Sequence, residues 1–118
     1  MGAGVSDYEL PPDRIASLSD AQLIDVREDY EYEAGHIPES RHVDVNDLNG
    51  IADSLDQSRP VVFYCRSGER STMPAQAFRA SGWDAYAIEG GLAAWVEAGQ
   101  SLEPEDGEVA HRRPGPQT

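Results

Sequence analysis

The chain has 118 residues, 39% of them apolar, with 22 acidic side chains against nine basic ones and a net charge of −13. That size suits one compact domain around one core and excludes two, while the acidic balance excludes nucleic acid and anionic membrane as partners. No run approaches the ~20 apolar residues of a spanning helix, and the start of the chain lacks the basic-then-apolar pattern of a secretory signal, so a cytoplasmic setting is expected.

In chain order, residues 1–7 are small and polar and are expected to be flexible. Residues 12–18 predict a short helix. The run Q-L-I-D-V at 22–26 reads as a strand, and D-Y-E-Y-E-A at 29–34 as a short helix with an acidic cap, ending at Gly35. Residues 41–45 predict a second strand. Residues 45–55 predict a helix whose apolar residues Leu48, Ile51, Ala52 and Leu55 fall on one stripe. Pro60 precedes V-V-F-Y at 61–64, a β-branched and aromatic strand of the kind buried on both faces. A helix over 71–81 stops before Gly82, a strand covers 85–88, and a helix over 92–98 closes at Gly99. The folded body is expected over residues 8–102. Residues 103–118 form an acidic, proline-containing tail with almost nothing to bury, and are expected to be disordered or draped. Strand alternating with helix at this pitch predicts an α/β fold, a parallel sheet covered by helices on both faces.

Cys65 is the single cysteine, which excludes a disulfide framework and a multi-cysteine metal site. Two readings remain, an inert core thiol or a reactive one. The residue stands at the end of the most buried-looking strand, and in open parallel sheets ligands bind beyond the carboxyl ends of strands. The loop that follows, C-R-S-G-E-R-S, is poor packing material and good anion-binding material. Gly68 lets the backbone curl so that successive N–H groups line a concavity. The next helix adds partial positive charge at its start. Arg70 adds a full charge, and Arg66 either adds another or points to water. These terms favour the thiolate, which is the nucleophilic form.

Four blocks stand in order along the chain: D-V-R at 25–27, E-Y-E-A-G-H-I-P at 31–38, V-V-F-Y-C-R-S-G-E-R-S at 61–71 and G-W-D-A-Y-A-I-E-G-G-L-A-A-W at 82–95. Through them the chain resembles a single-domain member of the rhodanese-like sulfurtransferases, over about residues 18–99. The resemblance implies a rhodanese-like fold, a five-stranded parallel sheet with helices on both faces. It also implies sulfur transfer. Thiosulfate or a related persulfide donor loads Cys65 as a persulfide, which then passes its sulfur to cyanide or a thiol. In that role Cys65 is the nucleophile. The backbone amides of Arg66, Ser67, Gly68, Glu69 and Arg70 cradle the persulfide and the donor, and Arg70 is the cation that assists donor binding. Ser71, Asp25 and Arg27 are supporting residues. No metal and no organic cofactor is implied. The implied partners are a small sulfur donor and a thiol acceptor, with a sulfur-carrier protein among the candidates. Glu39 and Ser40 depart from the Gly-Ala that often follows G-H-I-P in the family, and this touches only a turn.

Two other readings stay in view. The four residues between Cys65 and Arg70 are one fewer than in cysteine-dependent phosphatases and arsenate reductases of the related fold. The smaller bowl suits one sulfur atom better than a tetrahedral oxyanion. The other reading is a protein-binding or sulfur-relay module with little turnover. Among the remaining residues, His36 reads as structural. Asp25 and Arg27 read as a partly buried ionic network that Glu31 joins from the next helix. Gly90 and Gly91 supply backbone conformations closed to other residues and border the site opening. Trp83 and Trp95 read as packing.

Overall fold

The computed structural model of the chain describes residues 8–110. The flexibility expected of residues 1–7, and the tail beyond 110, lie outside the described residues. Five parallel strands, β1 (Glu9–Leu10), β2 (Gln22–Asp25), β3 (Arg41–His42), β4 (Val61–Tyr64) and β5 (Ala85–Ile88), pair in the order β1-β5-β4-β2-β3. Between and after them run α1 (Pro12–Ala16), α2 (Asp29–Ala34), α3 (Thr72–Ala80) and α4 (Gly91–Glu97).

β4 is the middle strand and its four residues are all 0% exposed, which explains its unbroken apolar run. Side chains alternate across a strand. Val61, Phe63 and Cys65 therefore enter one core with Val26, Ile51 and Ala75 of α3, while Val62 and Tyr64 enter the other with Ile15 of α1 and Leu92 and Trp95 of α4. Both faces of the sheet are covered. Trp83 packs edge-on to Phe78, and Trp95 is buried with its Nε1 donating to the Ser101 carbonyl at 2.9 Å.

The helix expected over 45–55 is corrected to two 3-10 segments, Val45–Gly50 and Ala52–Ser54. The Asp44 carboxylate accepts from the Asn46 N–H at 2.9 Å, and a stretch holding Asn46, Asp47, Asn49 and Gly50 has little drive to continue as α-helix. Leu48 and Ile51 are buried as the stripe requires, because residues three apart align in a 3-10 turn. β1, two residues long and paired to Ala87 and Ile88, is too short for any alternation to be read from the sequence.

The turn after G-H-I-P holds more than the sequence suggests. Glu39 has φ +68°, the left-handed region that glycine enters freely and other residues enter at a cost of about 1–2 kcal/mol. Ser40 is buried, with its Oγ 2.8 Å from the Tyr64 hydroxyl. The first residues of the tail pair with the end of α2. Glu103 and His36 exchange backbone hydrogen bonds at 2.8 and 3.1 Å, and the Glu108 N–H donates to the Ala34 carbonyl at 2.9 Å. A Cβ on Gly35 would lie 2.6 Å from the Glu108 carbonyl oxygen, so the strap needs a glycine beneath it. Residues 103–110 are thus draped over the Ala34–His36 turn. Among the described residues no helix is long and apolar enough to cross a membrane.

Candidate active site

Cys65 leaves the carboxyl end of β4, where the strand order turns back on itself between β4 and β2. Its side chain is buried in the core beneath the loop. Sγ accepts the Gly68 N–H at 3.1 Å and the Arg70 N–H at 3.2 Å, and lies 3.6 Å from the Ser71 Oγ. Gly68 adopts φ +107°, which turns its N–H inward; this is the curl that its residue type foretells. Ser71 Oγ donates to the Gly68 carbonyl at 3.3 Å and closes the bowl at the start of α3. Of the loop amides expected to cradle a persulfide and its donor, those of Gly68 and Arg70 are hydrogen-bonded to the resting sulfur. Ser67 and Glu69 are exposed, and Arg66 and Arg70 are half-buried. Two N–H dipoles converging on one sulfur stabilise it as an anion and leave its remaining lone pairs for a reacting atom.

The outer wall of the loop is set by α4. The Leu92 N–H donates to the Cys65 carbonyl at 2.8 Å and the Ala93 N–H to the Arg66 carbonyl at 3.0 Å. These are among the amides that a helix start leaves without internal partners. The approach needs Gly91, because a Cβ there would sit 2.6 Å from the carbonyl oxygens of both Cys65 and Arg66, at φ +65°. Gly91→Ala is expected to destabilise the fold by about 2–5 kcal/mol through backbone strain and overpacking. Denaturant unfolding checks this, and a loss under about 0.5 kcal/mol would mean that the loop yields without resistance.

Two arginine–carboxylate pairs lie under the site. Arg27 and Asp25 are both 0% exposed. Arg27 Nε donates to both Asp25 oxygens, at 2.9 and 3.1 Å, Nη2 donates to Oδ2 at 2.6 Å, and Nη2 also donates to the Gly35 carbonyl at 2.8 Å. Burial works against the guanidinium charge, but the Asp25 hydrogen bonds and charge outweigh it and the Arg27 pKa is raised. The pair is thus deeper than the partly buried network expected. Glu31 joins it through its charge, which favours the Arg27 cation. Its Oε1 and Oε2 accept Arg70 Nη1 and Nη2 at 2.8 and 3.1 Å, while Oε1 also accepts the Glu28 N–H at 3.1 Å in a capping box at the start of α2. Burial pushes the Glu31 carboxyl up, yet the Arg70 and Glu28 hydrogen bonds and the arginine charges bring it below its ordinary value.

The Arg70 side chain therefore engages α2, and its amide engages the sulfur. The sequence signals both residues but not their pairing, because they stand 39 positions apart. His36 takes no part. Its ring stacks on Tyr32 at 3.7 Å, with Nδ1 2.8 Å from the Tyr32 carbonyl.

In an open parallel α/β sheet the switch point is where ligands bind, and here it carries a cysteine-headed loop of inward-turned amides. The family model for the rhodanese-like domain matches residues 12–98, and the chain belongs to that family. It is 36% identical over 83 residues to a putative sulfurtransferase of Bacillus subtilis, covering 70% of this chain and 81% of the relative. It is 32% identical over 89 residues to the thiosulfate sulfurtransferase GlpE of Pseudomonas syringae, covering 73% and 84%. In structure it is similar to a rhodanese-like domain from Anabaena solved in solution, with TM-score 0.74, 24% identity, and 96% of this chain and 89% of that one covered.

Proposed function

We propose that the chain is a sulfurtransferase that takes the outer sulfur of thiosulfate, or of a related persulfide, onto Cys65. The observation that carries this reading is the pair of N–H groups, on Gly68 and Arg70, converging on a single sulfur. The thiolate attacks the outer sulfur of thiosulfate, a new S–S bond forms, and sulfite leaves with the electron pair of the broken bond. One negative charge then lies on the terminal persulfide sulfur, close to where the thiolate charge lay, so the same amides stabilise both forms. A thiol or cyanide attacks that terminal sulfur and restores the Cys65 thiolate. The acceptor is a small thiol or a sulfur-carrier protein, in a reducing, cytoplasmic setting that keeps Cys65 a free thiol between cycles.

Intact mass spectrometry after incubation with thiosulfate tests the reading. A gain of one sulfur atom that is removed by cyanide supports it. No gain leaves a binding module, and hydrolysis of a phosphate ester in its place points to the phosphatase reading. The kinetics are expected to be ping-pong, because without a second cysteine the persulfide has no internal thiol to resolve it. Double-reciprocal plots against both substrates should be parallel. Intersecting plots would require donor and acceptor to be bound together.

A further inference from the structure

The loop cation is not turned freely toward a donor. Both terminal nitrogens of the Arg70 guanidinium bind the two oxygens of Glu31, whose side chain is 0% exposed against 15% for Arg70. The bidentate geometry fixes both groups. Glu31 is further held by the Glu28 N–H in the capping box, so the carboxylate is set by α2 rather than by the loop it binds. α2 follows β2 and the loop follows β4, neighbouring strands in the sheet. Beneath them Asp25 cancels Arg27 in the same way. The floor of the site thus presents amide dipoles, with the charges of Arg27 and Arg70 each balanced by a buried carboxylate. The Arg70 amide donates to Sγ at 3.2 Å, so the guanidinium charge belongs to the same residue that holds the sulfur.

We propose that Glu31 is a specificity-determining residue that acts through Arg70: it neutralises the loop cation and so tilts the choice of sulfur donor away from the dianion thiosulfate and toward singly charged persulfides. This inference rests on the sulfur-transfer reading. Its signature is a dependence on donor charge. Removing the Glu31 charge adds attraction in proportion to the charge the donor carries, so the logarithm of the gain for a dianion is twice that for a monoanion. A brace that held only the shape of the loop would change both donors alike.

The test measures persulfide loading by intact mass against donor concentration, so that the half-saturating concentration and the limiting rate are separated. Thiosulfate and hydroxyethyl persulfide serve as the dianionic and monoanionic donors. Glu31→Gln is expected to speed low-concentration loading about fourfold for the persulfide and about fifteenfold for thiosulfate, mainly through half-saturation. Arg70→Gln, which leaves the buried carboxylate unbalanced, should slow both donors, thiosulfate more. Because the glutamine amide would face Arg70, the Glu31→Gln/Arg70→Gln double variant supplies the second check. It should recover most of the loss of Arg70→Gln and return the thiosulfate-to-persulfide ratio to the parent's, whereas relief of a merely structural strain would leave that ratio unmoved in every variant. Equal slowing of both donors by Glu31→Gln, with no recovery in the double variant, overturns the inference and leaves the sulfur-transfer reading standing. Should the parent protein load from neither donor, the sulfur-transfer reading fails instead. Charge selection is then read from protection of Cys65 against iodoacetamide, where sulfate should gain more than nitrate from Glu31→Gln, and equal protection overturns the inference.

Discussion

Cys65→Ser is expected to gain no sulfur from thiosulfate under conditions in which the parent protein is loaded. The loop would keep its shape, because a hydroxyl can still accept from the Gly68 and Arg70 N–H groups that lie 3.1 and 3.2 Å from Sγ. What is lost is the chemistry. A serine hydroxyl is far too weak an acid to supply an attacking oxyanion near neutral pH, whereas a cysteine facing two amide N–H groups can attack as the thiolate. Circular dichroism should be unchanged while the mass shift disappears, which separates loss of the nucleophile from loss of the fold. A mass gain that persists in Cys65→Ser would place the sulfur elsewhere and remove the basis for the mechanism.

Asp25→Asn is expected to be the most damaging of the conservative changes to stability. Asp25 and Arg27 are both 0% exposed, and the carboxylate receives Arg27 Nε, Nη2 and the Arg27 backbone N–H. Removing the anion leaves a guanidinium in the interior that cannot shed its proton, a loss of about 3–5 kcal/mol. That is a large share of the ~5–15 kcal/mol by which such domains are stable, and a Tm lowered by roughly 15 °C or more should accompany it. Replacing both partners together, Asp25→Leu with Arg27→Met, should cost less than either single change because no unpaired charge is left. A single-variant loss below about 1 kcal/mol would show that water reaches the pair after all.

The strand at 61–64, the cysteine after it and the inward curl at Gly68 were readable because each rests on a local rule. A β-branched run reads as a buried strand, and a glycine in a basic loop reads as a place where the backbone can invert. The helix at 29–34 was equally local, with its acidic start and its glycine stop. The stretch at 45–55 misled for a related reason. Its apolar spacing serves a 3-10 turn as well as an α-helix, and the Asp44 side chain on the Asn46 amide settled the difference. Ser40 looked like a turn residue until Tyr64, 24 positions away, came within 2.8 Å of it.

Composition, periodicity and glycine placement act over neighbouring residues, and they suffice to read an acidic α/β chain whose single cysteine heads a basic, glycine-turned loop. Which charge meets which depends on contacts between segments far apart in the chain. Arg70, read as the donor's cation, spends its guanidinium on Glu31, and Gly91 of α4 presses on the Cys65 and Arg66 carbonyls. Both facts follow from strand order, which brings the end of β4 beside β2 on one side and β5 on the other. Partners drawn from three separate segments carry no mark of one another in the chain, and the electrostatics of the site is the sum of those distant meetings.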